Sequence, residues 1–91
     1  MGWFVYIIEA SDGSLYTGVT TDVERRFAEH SDSDKGAKFF RGRKPRQIVY
    51  QQTQADRSSA LKREAEIKKL TRENKLTLIG QFTHKPPGRP C

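Results

Sequence analysis

"WFVYIIEASDGSLYTGVTTDVERRFAEH", residues 3–30, decides the fold of this chain. In its first part, Trp3–Ile8, β-branched and aromatic residues occupy both alternating faces, the pattern of a strand covered on both sides and so central in its sheet. Asp12-Gly13 is a turn signal, and Ser14–Val19 then returns antiparallel as the second strand of a hairpin. The turn length decides what the hairpin displays. A loop of two residues, Asp12-Gly13, would put Tyr6 and Tyr16 on opposite faces. A loop of three, Ser11–Gly13 with Gly13 left-handed, would put both on one face, with Gly18 opposite Tyr6 and Ile8 opposite Tyr16. In that register the glycine leaves open space beside Tyr6.

Thr21 and Glu24 have the spacing of a capping box, which predicts a helix running to about His30. At about 100° per residue, Val23 and Phe27 share a face with Arg26 and His30 beside them, whereas Arg25 and Glu29 point away. Arg26 is therefore the arginine at the edge of the buried stripe, where its stem can cover apolar surface or its head can be held and aimed.

Outward from this unit, residues 31–45 read as a polar, glycine-containing loop and "RQIVYQQ", residues 46–52, as a third strand. Within the loop, Lys35, Lys38, Arg41, Arg43 and Lys44, with Arg46 just beyond, stand together without an acidic residue, and Phe39 and Phe40 lie among them. Basic groups interleaved with aromatic faces suit a phosphate backbone and unstacked bases. A long helix is expected from near Asp56, in which Ala60, Leu61, Ala65, Ile67 and Leu70 form an apolar arc with Glu64 inside it and Glu66 outside. An inward carboxylate needs a cation, a hydrogen-bond network or a metal, and Lys68 offers an i,i+4 partner. Thr71 reads as the cap of a last helix ending at Gly80. The order strand, strand, helix, strand, helix, helix predicts an α+β domain over residues 1–82, a small three-stranded antiparallel sheet flanked by helices. Residues 83–91 read as a flexible, proline-rich tail.

With 91 residues there is room for one core. The 17 Lys and Arg against 11 Asp and Glu give a formal charge of +6 and a pI of about 9.8, which favours an anionic partner. No apolar run approaches a membrane span and the start lacks the pattern of a secretory leader, so a cytoplasmic protein, monomeric by default, is the expectation. Cys91 is the only cysteine and His30 and His84 the only histidines, which excludes an internal disulfide and a cysteine-rich zinc site.

Taken together, "FVYII", "LYTGVT", "DVERRFAEH" and "ALKREAEIK" resemble the GIY-YIG nuclease superfamily, in particular its small, single-domain bacterial branch, over about residues 3–79. The two signature triplets fall on Phe4-Val5-Tyr6 and Tyr16-Thr17-Gly18. The sequence departs from the family pattern at Val19, where some members have lysine, at Ser31, where many have asparagine, and at Phe39-Phe40, where small members often have Tyr-Thr. The resemblance implies a metal-dependent endonuclease acting on DNA, with a role in repair, recombination or processing. It places Tyr6, Tyr16, Arg26, His30 and Glu64 at the catalytic site, with Glu64 binding one Mg²⁺ or Mn²⁺, Arg26 holding the scissile phosphate and Tyr6 as general base. Lys35, Lys38, Phe39, Phe40, Arg41, Arg43 and Lys44 are the expected nucleic-acid contacts. A non-catalytic nucleic-acid-binding module of the same fold is the alternative; an adaptor for an acidic partner would use none of the five site residues.

Overall fold

Apolar side chains on both faces of Trp3–Ala10 (β1) bury four successive residues, Val5 to Ile8. A computed structural model of the chain, which describes residues 2–31, 38–40 and 42–83, places β1 in the middle of a three-stranded antiparallel sheet. Its neighbours are Leu15–Thr20 (β2) and Pro45–Gln54 (β3). The third strand is longer than residues 46–52 at both ends. It takes up extra residues as register shifts, so that Ile7 faces Tyr50 while Ile8 faces Ile48.

The hairpin adopts the longer turn. Gly13 has φ +87°, a region costly for any residue with a Cβ, and the Gly13 N–H donates to the Ala10 carbonyl at 2.9 Å. Tyr6 consequently pairs with Gly18 and Ile8 with Tyr16, so the two tyrosines share a face.

Val23–His30 (α1) follows β2 directly, but its cap is not the expected one. Asp22, in extended backbone, accepts from the Arg25 N–H at 3.0 Å, while Thr21 is exposed. The reason lies one residue earlier: Thr20 Oγ1 accepts from the Asp22 N–H at 3.2 Å and holds the chain in register for Asp22 to cap. The later caps fall where expected. Asp56 accepts from the Ser59 N–H at 2.8 Å and opens Arg57–Lys68 (α2). Thr71 Oγ1 accepts from the Asn74 N–H at 3.1 Å and opens Arg72–Thr83 (α3). This last helix runs through Gly80 because Leu78 and Ile79 pack on the core, which outweighs the ~1 kcal/mol that a glycine costs a helix.

Each face of the sheet carries its own core. Val5, Ile7, Val49 and Tyr50 pack with Ala60 and Ile67 of α2 and with Leu78 and Ile79 of α3. On the other face Tyr6, Ile8 and Ala10 pack with Val23 and Phe27 of α1 and with Phe39 and Phe40 of a 3-10 turn, Lys38–Phe40, which interrupts the expected loop. The arc assigned to α2 proves too wide. Ala60 and Ile67, two turns apart, are buried, but Leu61 and Ala65 are exposed and Leu70 is half-buried, since a helix lying on a flat sheet buries only a narrow stripe. No helix among the described residues is long and apolar enough to cross a membrane, and residues 84–91 of the expected tail lie outside them.

The caps can be ranked by substitution. Asp22→Ala and Asp56→Ala should each destabilise the fold by about 1 kcal/mol, and Thr21→Ala should change it by less than about 0.5 kcal/mol. Urea unfolding of the three variants checks the order.

Candidate active site

Tyr6 projects from the central strand over Gly18 on the edge strand. A Cβ on Gly18 would stand 2.6 Å from the Tyr6 hydroxyl oxygen and 2.8 Å from the ring carbon that bears it. The space expected to be open beside Tyr6 is thus filled by the hydroxyl end of its own phenol. In that position its hydroxyl is 3.0 Å from Nε2 of His30, at the last turn of α1. Tyr16, one strand over, packs against both, its ring centroid 5.1 Å from that of His30 and 6.2 Å from that of Tyr6.

Arg26, one turn before His30, completes the group. Its guanidinium interacts with the Tyr6 hydroxyl by charge and hydrogen bonding, and its Nη1 donates to Glu29 Oε1 at 2.8 Å. Glu29 was expected to point away with Arg25. It turns toward Arg26 because an i,i+3 pair on a helix lies within reach, and the Arg26 bond holds its carboxyl below the usual range.

Burial sets the protonation of this cluster. The Tyr6 hydroxyl is pushed well above an ordinary phenol, first by burial and then by Tyr16, against the opposing pull of Arg26. His30, only 1 % exposed, is pushed down to about 4 by burial and by the Arg26 charge. Both groups are therefore neutral at pH 7. The arrangement that satisfies both has Arg26 donating to the phenol oxygen and the phenol O–H donating to an unprotonated Nε2, with the imidazole proton on Nδ1.

Glu64 approaches from the other layer. It projects from α2, on the opposite face of the sheet, with its side chain 19 % exposed and its carboxylate 3.3 Å from Lys68 Nζ. Its charge is felt at the Tyr6 hydroxyl as the smallest of the effects there. The structure therefore brings Tyr6, Tyr16, Arg26 and His30 into direct contact or near contact, with Glu64 coupled to them through space. Among the described residues no three His, Cys, Asp or Glu gather as a cluster for a metal.

The basic loop is arranged differently from its sequence reading. Phe40 is buried and Phe39 half-buried; their rings pack on Tyr16 at 5.2 Å, so they serve the core and offer no stacking platform for bases. Arg43 lies over the Phe39 ring at 4.4 Å and pairs with Asp12 at 3.2 Å. Lys38 and Lys44 are exposed, whereas Lys35 and Arg41 lie outside the described residues. Beside this loop a depression of about 530 Å³ runs between the hairpin turn and the end of α1, with Ser11, Ser31, Gly42 and Lys44 on its rim. Of the five expected site residues His30 alone lines it. The sequence gives no sign that Ser11, Ser31 and Lys44 meet at one depression, because they stand in separate stretches without a periodic signal; Glu29 could have been found from its spacing to Arg26.

A hairpin with a tyrosine on each strand, a glycine beneath one of them, an arginine and a histidine one helical turn apart and a glutamate on a later helix is the pattern of one nuclease superfamily. A family model of the GIY-YIG catalytic domain matches residues 2–77, and the chain belongs to that family. Within it the chain is similar to small proteins designated UPF0213. One from Haloquadratum walsbyi is 55% identical over 80 residues, covering 88% of this chain and 89% of the relative. Another from Desulfotalea psychrophila is 52% identical over 77 residues, covering 85% and 70%. The solution NMR structure of a UPF0213 protein from Bacillus halodurans is 40% identical, covers 98% of this chain and 100% of that one, and superposes with a TM-score of 0.57.

The close approach at Gly18 gives one expected outcome. Gly18→Ala should destabilise the fold by about 1–3 kcal/mol by driving the phenol off β2, and the penalty should shrink when Tyr6 is first replaced by alanine. A double-mutant cycle in denaturant measures this coupling.

His30 gives another. The unfolded chain protonates it near pH 6.5 and the folded chain only near about 4, so the unfolded state binds more protons in between. The stability that depends on neutral His30 is intact above about pH 6.5 and is lost as pH falls toward about 4, by at most about 3 kcal/mol. His30→Gln should flatten that part of the profile relative to wild type in urea unfolding series.

Proposed function

We propose that this chain is an endonuclease that hydrolyses phosphodiester bonds in DNA with the help of one divalent cation, Mg²⁺ or Mn²⁺, and that it serves DNA repair, recombination or processing. The observation that carries the reading is the Tyr6 hydroxyl held between a fixed cation, Arg26, and a neutral base, His30. A core tyrosine needs neither partner to pack.

Hydrolysis requires a deprotonated water and stabilisation of negative charge on the phosphoryl oxygens. Tyr6 is buried too well to stand as a phenolate at neutral pH. It acts as base by taking the proton of the attacking water while handing its own to Nε2 of His30. The resulting imidazolium, unfavourable beside Arg26 in the free protein, is offset by the negative charge of the bound phosphate. Arg26, whose planar fork suits phosphate, turns from Glu29 to the non-bridging oxygens. The hydroxide adds to phosphorus, the P–O bond to the leaving oxygen breaks, and that oxygen takes a proton from solvent. Tyr16 packs the imidazole in place. Glu64 would hold the cation, which supplies Lewis-acid stabilisation of the phosphoryl charge. A lone carboxylate at the surface suits Mg²⁺, which keeps several waters and uses one or two carboxylates together with substrate phosphates. Lys38, Arg43 and Lys44 would meet the phosphate backbone beyond the cleaved bond.

The Lys68 contact favours a second reading, a nucleic-acid-binding module in which Glu64 is only half of a surface ion pair. The two readings part on Glu64→Gln. For the nuclease, metal-dependent cleavage of labelled single-stranded, duplex and branched DNA should fall by about 10²-fold or more, while affinity for DNA and melting temperature stay near wild type. Arg26→Ala should reduce cleavage to a similar extent and weaken binding less. For the binding module, Glu64→Gln should cost about 0.3–0.5 kcal/mol of stability and change nothing else. A folded Glu64→Gln variant that cuts like wild type removes Glu64 from the chemistry.

A further inference from the structure

Arg25, Arg26 and Glu29 form a charged triad along the outer side of α1. The Glu29 carboxylate divides its two oxygens between the arginines: Oε1 accepts from Arg26 Nη1 at 2.8 Å, and Oε2 lies 3.9 Å from Arg25 Nε. The two partners are unlike. Arg26 has a side chain 30 % exposed and also interacts with the Tyr6 hydroxyl, whereas the side chain of Arg25 is 61 % exposed and stands largely in water. Positions three and four apart on a helix are neighbours, so rotation of the Glu29 side chain carries its carboxylate from one arginine toward the other with the backbone in place.

A carboxylate on Arg26 matters because Arg26 is the cation at the Tyr6 hydroxyl. A guanidinium holds a phosphate best through two parallel N–H bonds, and Nη1 is already turned to an anion of the protein's own. A phosphate that comes to Arg26 therefore competes with Glu29. Partial exposure keeps the exchange modest, since ion pairs of this kind correspond to about two- to fivefold in an equilibrium. Arg25 makes the exchange easier, because the displaced carboxylate keeps a cation beside it at its other oxygen. We propose that Glu29 gates Arg26: its carboxylate occupies the guanidinium in the free protein, yields it to an incoming phosphate and then rests on Arg25. Arg25 is thereby a positioning residue, which draws the displaced carboxylate away from the phosphate without touching the phosphate itself. The inference rests on the reading of Arg26 as a phosphate-binding cation, though not on the phosphodiester being cut.

Affinity of the full chain for a labelled duplex DNA, measured by fluorescence anisotropy with chelator present, tests the gate. Glu29→Gln should tighten binding by about two- to fivefold. Glu24→Gln removes the same charge from an exposed position of the same helix and should tighten it less. In an Arg26→Ala background Glu29→Gln should do no more than Glu24→Gln. Arg25→Ala should weaken binding of the wild type, and should weaken it less once Glu29→Gln has removed the carboxylate that Arg25 draws off. In cleavage assays Glu29→Gln should lower KM more than it changes kcat. Equal effects of Glu29→Gln and Glu24→Gln would reduce Glu29 to its net charge and overturn the proposal. So would a gain from Glu29→Gln that survives Arg26→Ala, or an Arg25→Ala loss of the same size with and without Glu29, which would make Arg25 a direct phosphate contact. If Glu29→Gln tightens binding through Arg26 while no DNA is ever cut, the nuclease reading fails and the gate stands; if DNA is cut and Glu29→Gln leaves affinity and KM at their wild-type values, the gate fails and the nuclease reading stands.

Discussion

Everything at this site depends on one close approach, a phenol lying across a glycine. Tyr6 starts on the middle strand and must cross the edge strand to reach the end of α1. It can do so only at Gly18, where the ring occupies the volume that any other residue would fill with its Cβ. The long hairpin turn sets that pairing, and Gly13 sets the turn. Shift the register by one residue and Tyr6 and Tyr16 lie on opposite faces, with no glycine opposite Tyr6 for its phenol to cross. The three-residue turn, the glycine and the two tyrosines are thus parts of a single requirement.

That geometry has an electrical side. Tyr6 and His30 sit in the core, where water cannot support charge, and both rest in their neutral forms. The charged groups, Arg26, Glu29 and Glu64, are only partly covered and lie around them. A neutral hydrogen-bonded pair surrounded by half-solvated charges costs the fold little. Under the proposed mechanism the pair becomes reactive when a polyanion displaces Glu29 from Arg26.

Much of this was legible in the sequence, for definite reasons. A run of apolar residues without alternation marks a strand with two covered faces, and Trp3–Ile8 is the middle strand. Helical spacing put Arg26 and His30 on one face with Phe27, and they meet Tyr6 there. What failed did so where single residues compete locally or where tertiary contact decides. Thr21 and Asp22 are both good caps, and the Thr20 hydroxyl, a contact outside the helix, chose between them. Phe39 and Phe40 are aromatic residues among cations in any reading of the chain; only the 3-10 turn reveals that they face inward. The depression between Ser11, Ser31 and Lys44 joins three stretches that are far apart in sequence, and no local pattern announces such a meeting.

The formal charge of +6 overstates what the surface offers a polyanion. Arg25, Arg26, Arg43, Arg46, Arg63 and Lys68 each already face a carboxylate. When a phosphate takes one of these cations, the nucleic acid sheds a condensed counterion, but the abandoned carboxylate recruits a cation from solution in its place. The entropy gained at one end is partly returned at the other. Such contacts exchange one ion atmosphere for another, and the salt dependence of the binding proposed above then reports mainly on cations such as Lys44, which forms no ion pair among the described residues.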